Sequence, residues 1–405
     1  MSDTPWLTIV GMGEDGVAGL APASQAALAQ AEVIMGPPRH LDLVVNAPLT
    51  TSVPAGTARH IPWPVPFADG LGVLDTLRGQ RVVVLASGDP FWFGAGSVIA
   101  KRYPATEWAA HPGPSCFALT AAHLGWALEA THCLGLHAAP FARMRQHLAP
   151  GTRIIATLRE GGAVHALASY LTDQGFADST LSVLEHLGGP DARITTTTAK
   201  AVTGSFDHPV CVAIEVEGNG GVLSTAGGQP DDTFASDGQI TKRPVRAITL
   251  STLAPKPFEH LWDIGGGSGS IALEWLLAHP TTSATCIEAR ADRAARITQN
   301  ATGLGVEHRL SVVHGRAPDA LADLQPADAI FVGGGLTHAM VDTVCATPSR
   351  LVVNAVTLEG EALLATCHAT HGGELMRIAL SSATPLGPKR GWSSAYPVVQ
   401  WSLAR

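Results

Sequence analysis

The chain has 405 residues, 46% of them hydrophobic and 15% charged, with a net charge of -8. That length predicts two or three domains with real cores, and the lack of any basic block excludes a nucleic-acid partner. No uncharged apolar run approaches the roughly 20 residues that span a bilayer. MSDTPWLTIV has neither the basic region nor the apolar core of a signal peptide. The six cysteines are dispersed without a CxxC pair, and the 17 histidines show no HxxxH or HxH spacing near acidic partners. A cytoplasmic protein with reduced thiols, no membrane contact and no metal is the expectation.

The first half reads as alternating strand and helix. Strands are predicted at Trp6–Val10, Val82–Ala86, Arg153–Leu158, Leu181–Glu185 and Val210–Val216, and helices at Ser24–Ala31, Ser115–Leu124 and Val164–Asp173. VGMGEDG sets Gly11, Gly13 and Gly16 around Glu14 and Asp15, acids that would repel a phosphate. GPPRHL carries Arg39 and His40, which read either as ligands for substrate carboxylates or as a plain exposed basic pair. In SGDP, Gly88 permits close approach, Asp89 can accept from a cofactor amine or hydroxyl, and Pro90 fixes the turn. HPGPSC puts the Ser115 hydroxyl at a helix start, and EHLGGPDARI is a further loop of the same kind. Each is a tight turn when taken alone; in this order they read as a cofactor site.

The run 217–239, EGNGGVLSTAGGQPDDTFASDGQ, breaks the pattern and reads as a linker. The expected domains are residues 1–217 and 239–405, joined by 218–238. Thr241 is then positioned to cap a helix running to about Leu253. DGQITKRPVRAITL (237–250) is either that helix alone or a lid over a cofactor.

Strand and helix alternate again through His260–Ile264, Ile271–Leu277, Ala284–Glu288, Asp292–Thr302, Leu310–Val313, Ala329–Val332 and Leu351–Ala355. Two strand-like runs, Glu374–Ser381 and Pro397–Leu403, close the chain with no helix between them, as in a seven-strand methyltransferase sheet. LWDIGGGSGSIALEW reads as strand, glycine turn, helix, the nucleotide corner of a doubly wound sheet. Glu288 ends the next strand, where an acid can accept from both ribose hydroxyls. GRAP (315–318) would edge an adenine, and FVGGG (331–335) would lie beside a transferred group. A glycine turn also fits a nicotinamide-dependent oxidoreductase. The GGGSG turn after an Asp, the Glu, FVGGG and the terminal strand pair together favour S-adenosylmethionine.

VGMGEDG, GPPRHL, LASGDPFWFGAG, HPGPSCFALTAAHLGW and VLEHLGGPDARI resemble the tetrapyrrole methylases, in particular their CbiE-like branch. DGQITKRPVRA, WDIGGGSGS, IEA, GRAP and FVGGG resemble the CbiT-like class I methyltransferases. The order is similar to the fused methyltransferases of cobalamin biosynthesis over nearly the whole chain. The resemblance implies an α/β protein: an N-terminal class III (tetrapyrrole-methylase) fold of two α/β subdomains, then a seven-strand Rossmann-like class I fold. It implies methylation of precorrin-6B at C-5 and C-15 and loss of CO2 from the C-12 acetate, giving precorrin-8. One S-adenosyl-L-methionine per domain is implied, with a tetrapyrrole as the small-molecule substrate and a homo-oligomeric assembly. The first cofactor is implied near Gly88, Asp89, Phe93, Ser115, Cys116, Leu158 and Leu187. The second is implied near Thr241, Gly265, Gly267, Ser268, Gly269, Glu288 and Ala317. Arg39, His40, Lys242, Arg243, Arg246 and Gly334 are the substrate-binding candidates. No general acid or base is assigned. Glu14-Asp15-Gly16 stands where relatives commonly carry Pro-Gly-Asp, and Gly315-Arg316-Ala317 where many carry Gly-Asp-Ala.

Overall fold

The computed structural model describes residues 5–47 and 58–405; of the N-terminal stretch read for a signal, residues 1–4 lie outside it. Two compact units result: Met1–Phe141 with His147–Gly221, and Val222–Arg405 with Ala142–Gln146.

The first unit holds two sheets. One is wholly parallel, in the order β3-β2-β4-β1-β5. Its strands are β1 (Leu7–Met12), β2 (Val33–Gly36), β3 (Arg59–Pro62), β4 (Val82–Ser87) and β5 (Trp108–His111). Helices α1 (Pro22–Gln30), α2 (Pro38–Val45), α3 (Asp69–Asp75) and α4 (Ala95–Arg102) alternate with them. Strands β1, β2 and β4 are buried almost throughout, as a parallel sheet covered on both faces requires. Helix α5 (Cys116–Leu124) leads into the second sheet. That sheet is mixed, in the order β6-β7-β10-β8-β9, built from β6 (Thr131–Gly135), β7 (Arg153–Thr157), β8 (Thr180–Glu185), β9 (Arg193–Thr198) and β10 (Val210–Glu215). Helix α6 (Ala163–Asp173) packs Val164, Leu167 and Leu171 inward, the spacing of one helical face.

The second unit opens with α7 (Arg243–Leu253) and a seven-stranded sheet. Its strands are β11 (His260–Ile264), β12 (Ser283–Glu288), β13 (Leu310–His314), β14 (Ala329–Val332), β15 (Arg350–Ala355), β16 (Glu374–Ile378) and β19 (Val398–Leu403). The order is β13-β12-β11-β14-β15-β19-β16, with β19 antiparallel to both neighbours. This is the sheet the terminal strand pair predicts. Helices α8 (Ser270–Ala278), α9 (Ala291–Leu304), α10 (His338–Cys345) and α11 (Leu358–His371) complete the alternation. An exposed hairpin, β17 (Ser381–Leu386) and β18 (Lys389–Ser394), interrupts the run between β16 and β19.

Two local expectations change. Thr241 does not cap α7; Lys242 is the boundary residue and its side chain makes no cap, because Pro244 in the first turn already lacks the N–H that a cap would satisfy. The run 217–239 is only partly a solvated linker. Gln229 is buried and Phe234 sits in the core with Leu250, Trp275 and Ile297. All six cysteines are free thiols. Among the described residues no helix is long and apolar enough to cross a membrane.

Candidate active sites

In parallel α/β sheets, ligands bind outside the carboxyl ends of the strands. In the first unit, three backbone turns crowd that edge. Gly88 N–H donates to the Met12 carbonyl at 2.9 Å, and Gly113 N–H to the Gly88 carbonyl at 3.1 Å. A Cβ at Gly11 would strike the Gly88 oxygen, and Gly88 has φ +57°, so both glycines are required by contact and conformation. Asp89 turns the chain by accepting from Phe91 N–H at 2.8 Å. Ser115 caps α5 by accepting from Ala118 N–H at 3.1 Å, and Cys116 begins that helix. A hydrogen bond to Cys211, together with burial, holds the Cys116 thiol far above the ordinary range, so it is protonated and no nucleophile. Phe93 is half-exposed at φ +56°, a conformation unusual for a side-chain-bearing residue. Its ring packs near Phe117 and would meet a Cβ at Gly135, at the end of β6. Leu158 follows β7 and is buried; Leu187 follows β8 and is partly buried. The structure thus gathers Gly88, Asp89, Phe93, Ser115 and Cys116 at one sheet edge, with Leu158 and Leu187 at the ends of the other sheet's strands.

Arg39 and His40 are not an exposed pair. His40 is wholly buried, which removes it as a substrate ligand. Burial first, and the Arg39 charge second, push its pKa down to about 3, so it is neutral. Its Nε2 lies 3.0 Å from Arg39 Nη2 and therefore accepts, placing the proton on Nδ1. Arg39 also reaches Ser87 Oγ at 3.4 Å and pairs with Glu14. The other Glu14 oxygen lies 3.5 Å from His186 Nδ1. Glu14 had the sequence signature of a repelling acid. Its partner Arg39 lies on another element, which spacing along the chain does not reveal.

In the second unit, Gly265 has φ +76°, and a Cβ there would lie 2.7 Å from the Gly334 nitrogen. The turns after β11 and β14 therefore touch backbone to backbone. Glu288 is buried; one oxygen accepts from Gly267 N–H and the other from Arg290 N–H, each at 2.9 Å. Each carboxylate oxygen keeps a lone pair for a further donor, which fits a ribose diol. Around Gly267 nothing approaches a Cβ position closer than 3.9 Å, so the turn is an open cradle. Ser268 and Gly269 complete it. Asn300 braces it from α9, donating to the Ser268 carbonyl at 2.9 Å and bonding both backbone groups of Ala235. Ala317 follows β13 and is partly buried. Thr241 is half-buried just before α7, its carbonyl accepting from Arg246.

Arg246 does not stand open to a substrate, contrary to the expectation from sequence. It is fully buried, bonded to Glu274 on α8, to Asp231 at 3.1 Å and to the Gln229 carbonyl, with Phe234 against its guanidinium. Every face of it is occupied inside the fold, so it cannot hold a substrate carboxylate. Lys242 and Arg243 are exposed beside it.

Asp263 lies under the glycine turn. Oδ2 accepts from Ala272 N–H at 3.0 Å, while Oδ1 has no hydrogen-bond partner among the described residues. Burial pushes its pKa up from 3.8 to about 7, partly offset by the Ala272 bond. Native protein then retains a proton that unfolded chain releases, so this group's contribution to stability falls as pH rises from about 4 to about 7. Asp263→Asn will remove that dependence. The unfolding free energy of the variant minus that of wild type will grow across this window, by at most about 4 kcal/mol, and level off above it. Denaturant titrations at pH 5 and pH 8 measure the difference; a pH-independent gap would mean that Asp263 is ionised throughout.

Two sheets, each with a glycine-lined carboxyl edge built to a different plan, define a chain with two methyltransferase folds. Residues 6–203 match the tetrapyrrole (corrin/porphyrin) methylases, and residues 232–405 match the precorrin methyltransferase domain. A precorrin-6Y C(5,15)-methyltransferase (decarboxylating) of Sinorhizobium sp. is 46% identical over 99% of this chain and 97% of its own length. Its namesake in Mycobacterium tuberculosis (strain ATCC 25618 / H37Rv) is 37% identical over 98% of this chain and 100% of its own. Among solved structures, the C-terminal domain of precorrin-6Y C5,15-methyltransferase from Rhodobacter capsulatus is 51% identical, covering 44% of this chain and 98% of that one, with a TM-score of 0.43. The chain belongs to the precorrin-6Y C(5,15)-methyltransferase (decarboxylating) family.

Proposed function

We propose that the first unit methylates C-5 of precorrin-6B, and that the second methylates C-15 and releases CO2 from the C-12 acetate, each unit using its own S-adenosylmethionine. The chain is a methyltransferase of cobalamin biosynthesis that uses S-adenosylmethionine as methyl donor and a tetrapyrrole as substrate. The observation that carries the division of labour is the presence of two separate glycine-lined sheet edges, each inside its own unit.

S-adenosylmethionine supplies an activated methyl group as a sulfonium, so neither unit needs a protein nucleophile. The chain's task is to position and to exclude water. In the first unit the donor would lie against Gly88, Asp89, Phe93, Ser115, Cys116, Leu158 and Leu187. In the second, Glu288 would hold the ribose and Gly265, Gly267, Ser268 and Gly269 the backbone-lined remainder, with Thr241 and Ala317 at its ends. Gly334, touching Gly265, would lie beside the acceptor carbon. Arg243, and Lys242 on leaving its exposed 3.8 Å pairing with Asp231, would meet the substrate's carboxylates. Methylation at C-15 leaves an imine-like system conjugated to the acetate-bearing ring, a sink for the electrons that CO2 leaves behind; methylation therefore comes first. The same reading places the protein in the cytoplasm as a homo-oligomer.

Mass spectrometry of reduced precorrin-6 incubated with the protein and S-adenosylmethionine tests this. A gain of two methyl groups with loss of one CO2 is expected. One methyl group with CO2 loss would leave the first unit without its role. A decarboxylated product unmethylated at C-15 in a single turnover would overturn the order.

A further inference from the structure

Methylating a ring carbon that bears hydrogen creates a second chemical task. At C-5 the macrocycle's π electrons form the new carbon–carbon bond while the methyl–sulfur bond breaks, its electron pair passing to sulfur. The ring is left cationic, with both methyl and hydrogen on C-5. Conjugation returns when the C-5–hydrogen bond breaks and its electron pair flows into the ring. A base must take that proton.

We propose that His186 is this base, with Glu14 as its positioning residue. The proposal rests on the reading that the first unit methylates C-5. His186 is the first residue after β8 and has φ +48°, a left-handed conformation that costs a non-glycine residue free energy. The turn it begins is fixed at both ends: His186 N–H donates to the Pro209 carbonyl at 2.9 Å, and Gly189 N–H donates to the His186 carbonyl at 3.0 Å. The turn then sits directly on the loop after β1, where a Cβ at Gly189 would lie 2.6 Å from Glu14 Cβ. The strained backbone thus carries the imidazole from the second sheet to the ligand edge of the first.

The side-chain chain is continuous. Ser87, the residue before Gly88, meets Arg39; Arg39 pairs with Glu14; Glu14 lies 3.5 Å from His186 Nδ1. Glu14 is 14% exposed and tied down by Arg39, so it is a fixed acceptor. A carboxylate beside Nδ1 keeps the proton on that nitrogen and leaves the Nε2 lone pair on the opposite edge of the ring. That ring retains 28% of its surface open, enough to meet a substrate and then to release the proton to water. His40, close by, is too deeply buried to serve.

The test compares His186→Gly, His186→Asn and Glu14→Gln in the full chain, scoring each methylation and CO2 loss separately by mass. Glycine and asparagine both tolerate positive φ, so the turn survives either change. His186→Gly is expected to lower kcat for C-5 methylation at least 100-fold, as loss of a general base does. S-adenosylhomocysteine binding and C-15 chemistry should be unchanged, and added imidazole should restore part of the rate. His186→Asn should be equally slow and not rescued, its amide filling the space. Glu14→Gln should lower kcat about tenfold with KM unchanged, as a lost orienting contact does. Wild-type C-5 rates in His186→Gly and His186→Asn would overturn the proposal, as would an unrescued loss accompanied by loss of S-adenosylhomocysteine binding. Wild-type protein that adds no methyl at C-5 would overturn the underlying reading instead, and the proposal with it.

Discussion

Gly265→Val will abolish C-15 methylation and CO2 loss while leaving C-5 methylation intact. A Cβ at this position lies 2.7 Å from the Gly334 nitrogen and 2.8 Å from its Cα, both backbone atoms that no rotamer change can move. The φ of +76° adds strain of its own. The turns after β11 and β14 must separate by roughly an ångström, and misplacement on that scale costs on the order of 100-fold in rate. Product masses with deuterium-labelled methyl donor give both activities in one reaction. A single label without decarboxylation is the expected product. Retention of the C-15 label would mean that the donor does not sit in this turn.

Arg246→Met will strongly destabilise the second unit. The guanidinium is fully buried and Glu274 is 2% exposed, so methionine leaves an uncompensated carboxylate in the core. Breaking a buried pair from one side costs about 3–5 kcal/mol. The effect also spreads, because Arg246 holds the Gln229 and Thr241 carbonyls and Asp231 against α7. Adding Glu274→Gln should recover part of the loss. The amide carries no charge, and its oxygen still accepts from the Gly228 or Gln229 N–H groups that Glu274 now satisfies. Denaturant unfolding of the two variants beside wild type measures this; Arg246→Met within 1 kcal/mol of wild type would contradict it.

The parts of the fold legible in sequence were those written in local pattern. Buried parallel strands such as Val82–Ser87 and His260–Ile264 are largely apolar runs that lead into the glycine turns at Gly88 and Gly265, and both the strands and the turns stand where that pattern puts them. Strand β9, RITTTT, has no apolar alternation, because its hydroxyl-bearing side chains lie mostly exposed or half-exposed. The β17–β18 hairpin is exposed at nearly every position, so burial left no periodicity to read.

Long-range pairing was invisible for the same physical reason. Arg246 looks like any basic residue on a helix, and only the fold shows Glu274, Asp231 and Phe234 closing around it. Residues 217–239 have linker composition, yet Gly228 and Gln229 lend their N–H groups to Glu274 and Phe234 enters the core. Glu14 and His186 stand on different sheets of one unit, and a strained turn brings them together.

On the proposed function, one chain holds two independent methyl-donor sites. Calorimetric titration of the whole protein with S-adenosylhomocysteine tests it most directly. Two sites per chain are expected, one of which disappears in Gly265→Val while the other keeps its affinity. A single site per chain in wild-type protein, or loss of both in the variant, would contradict the account.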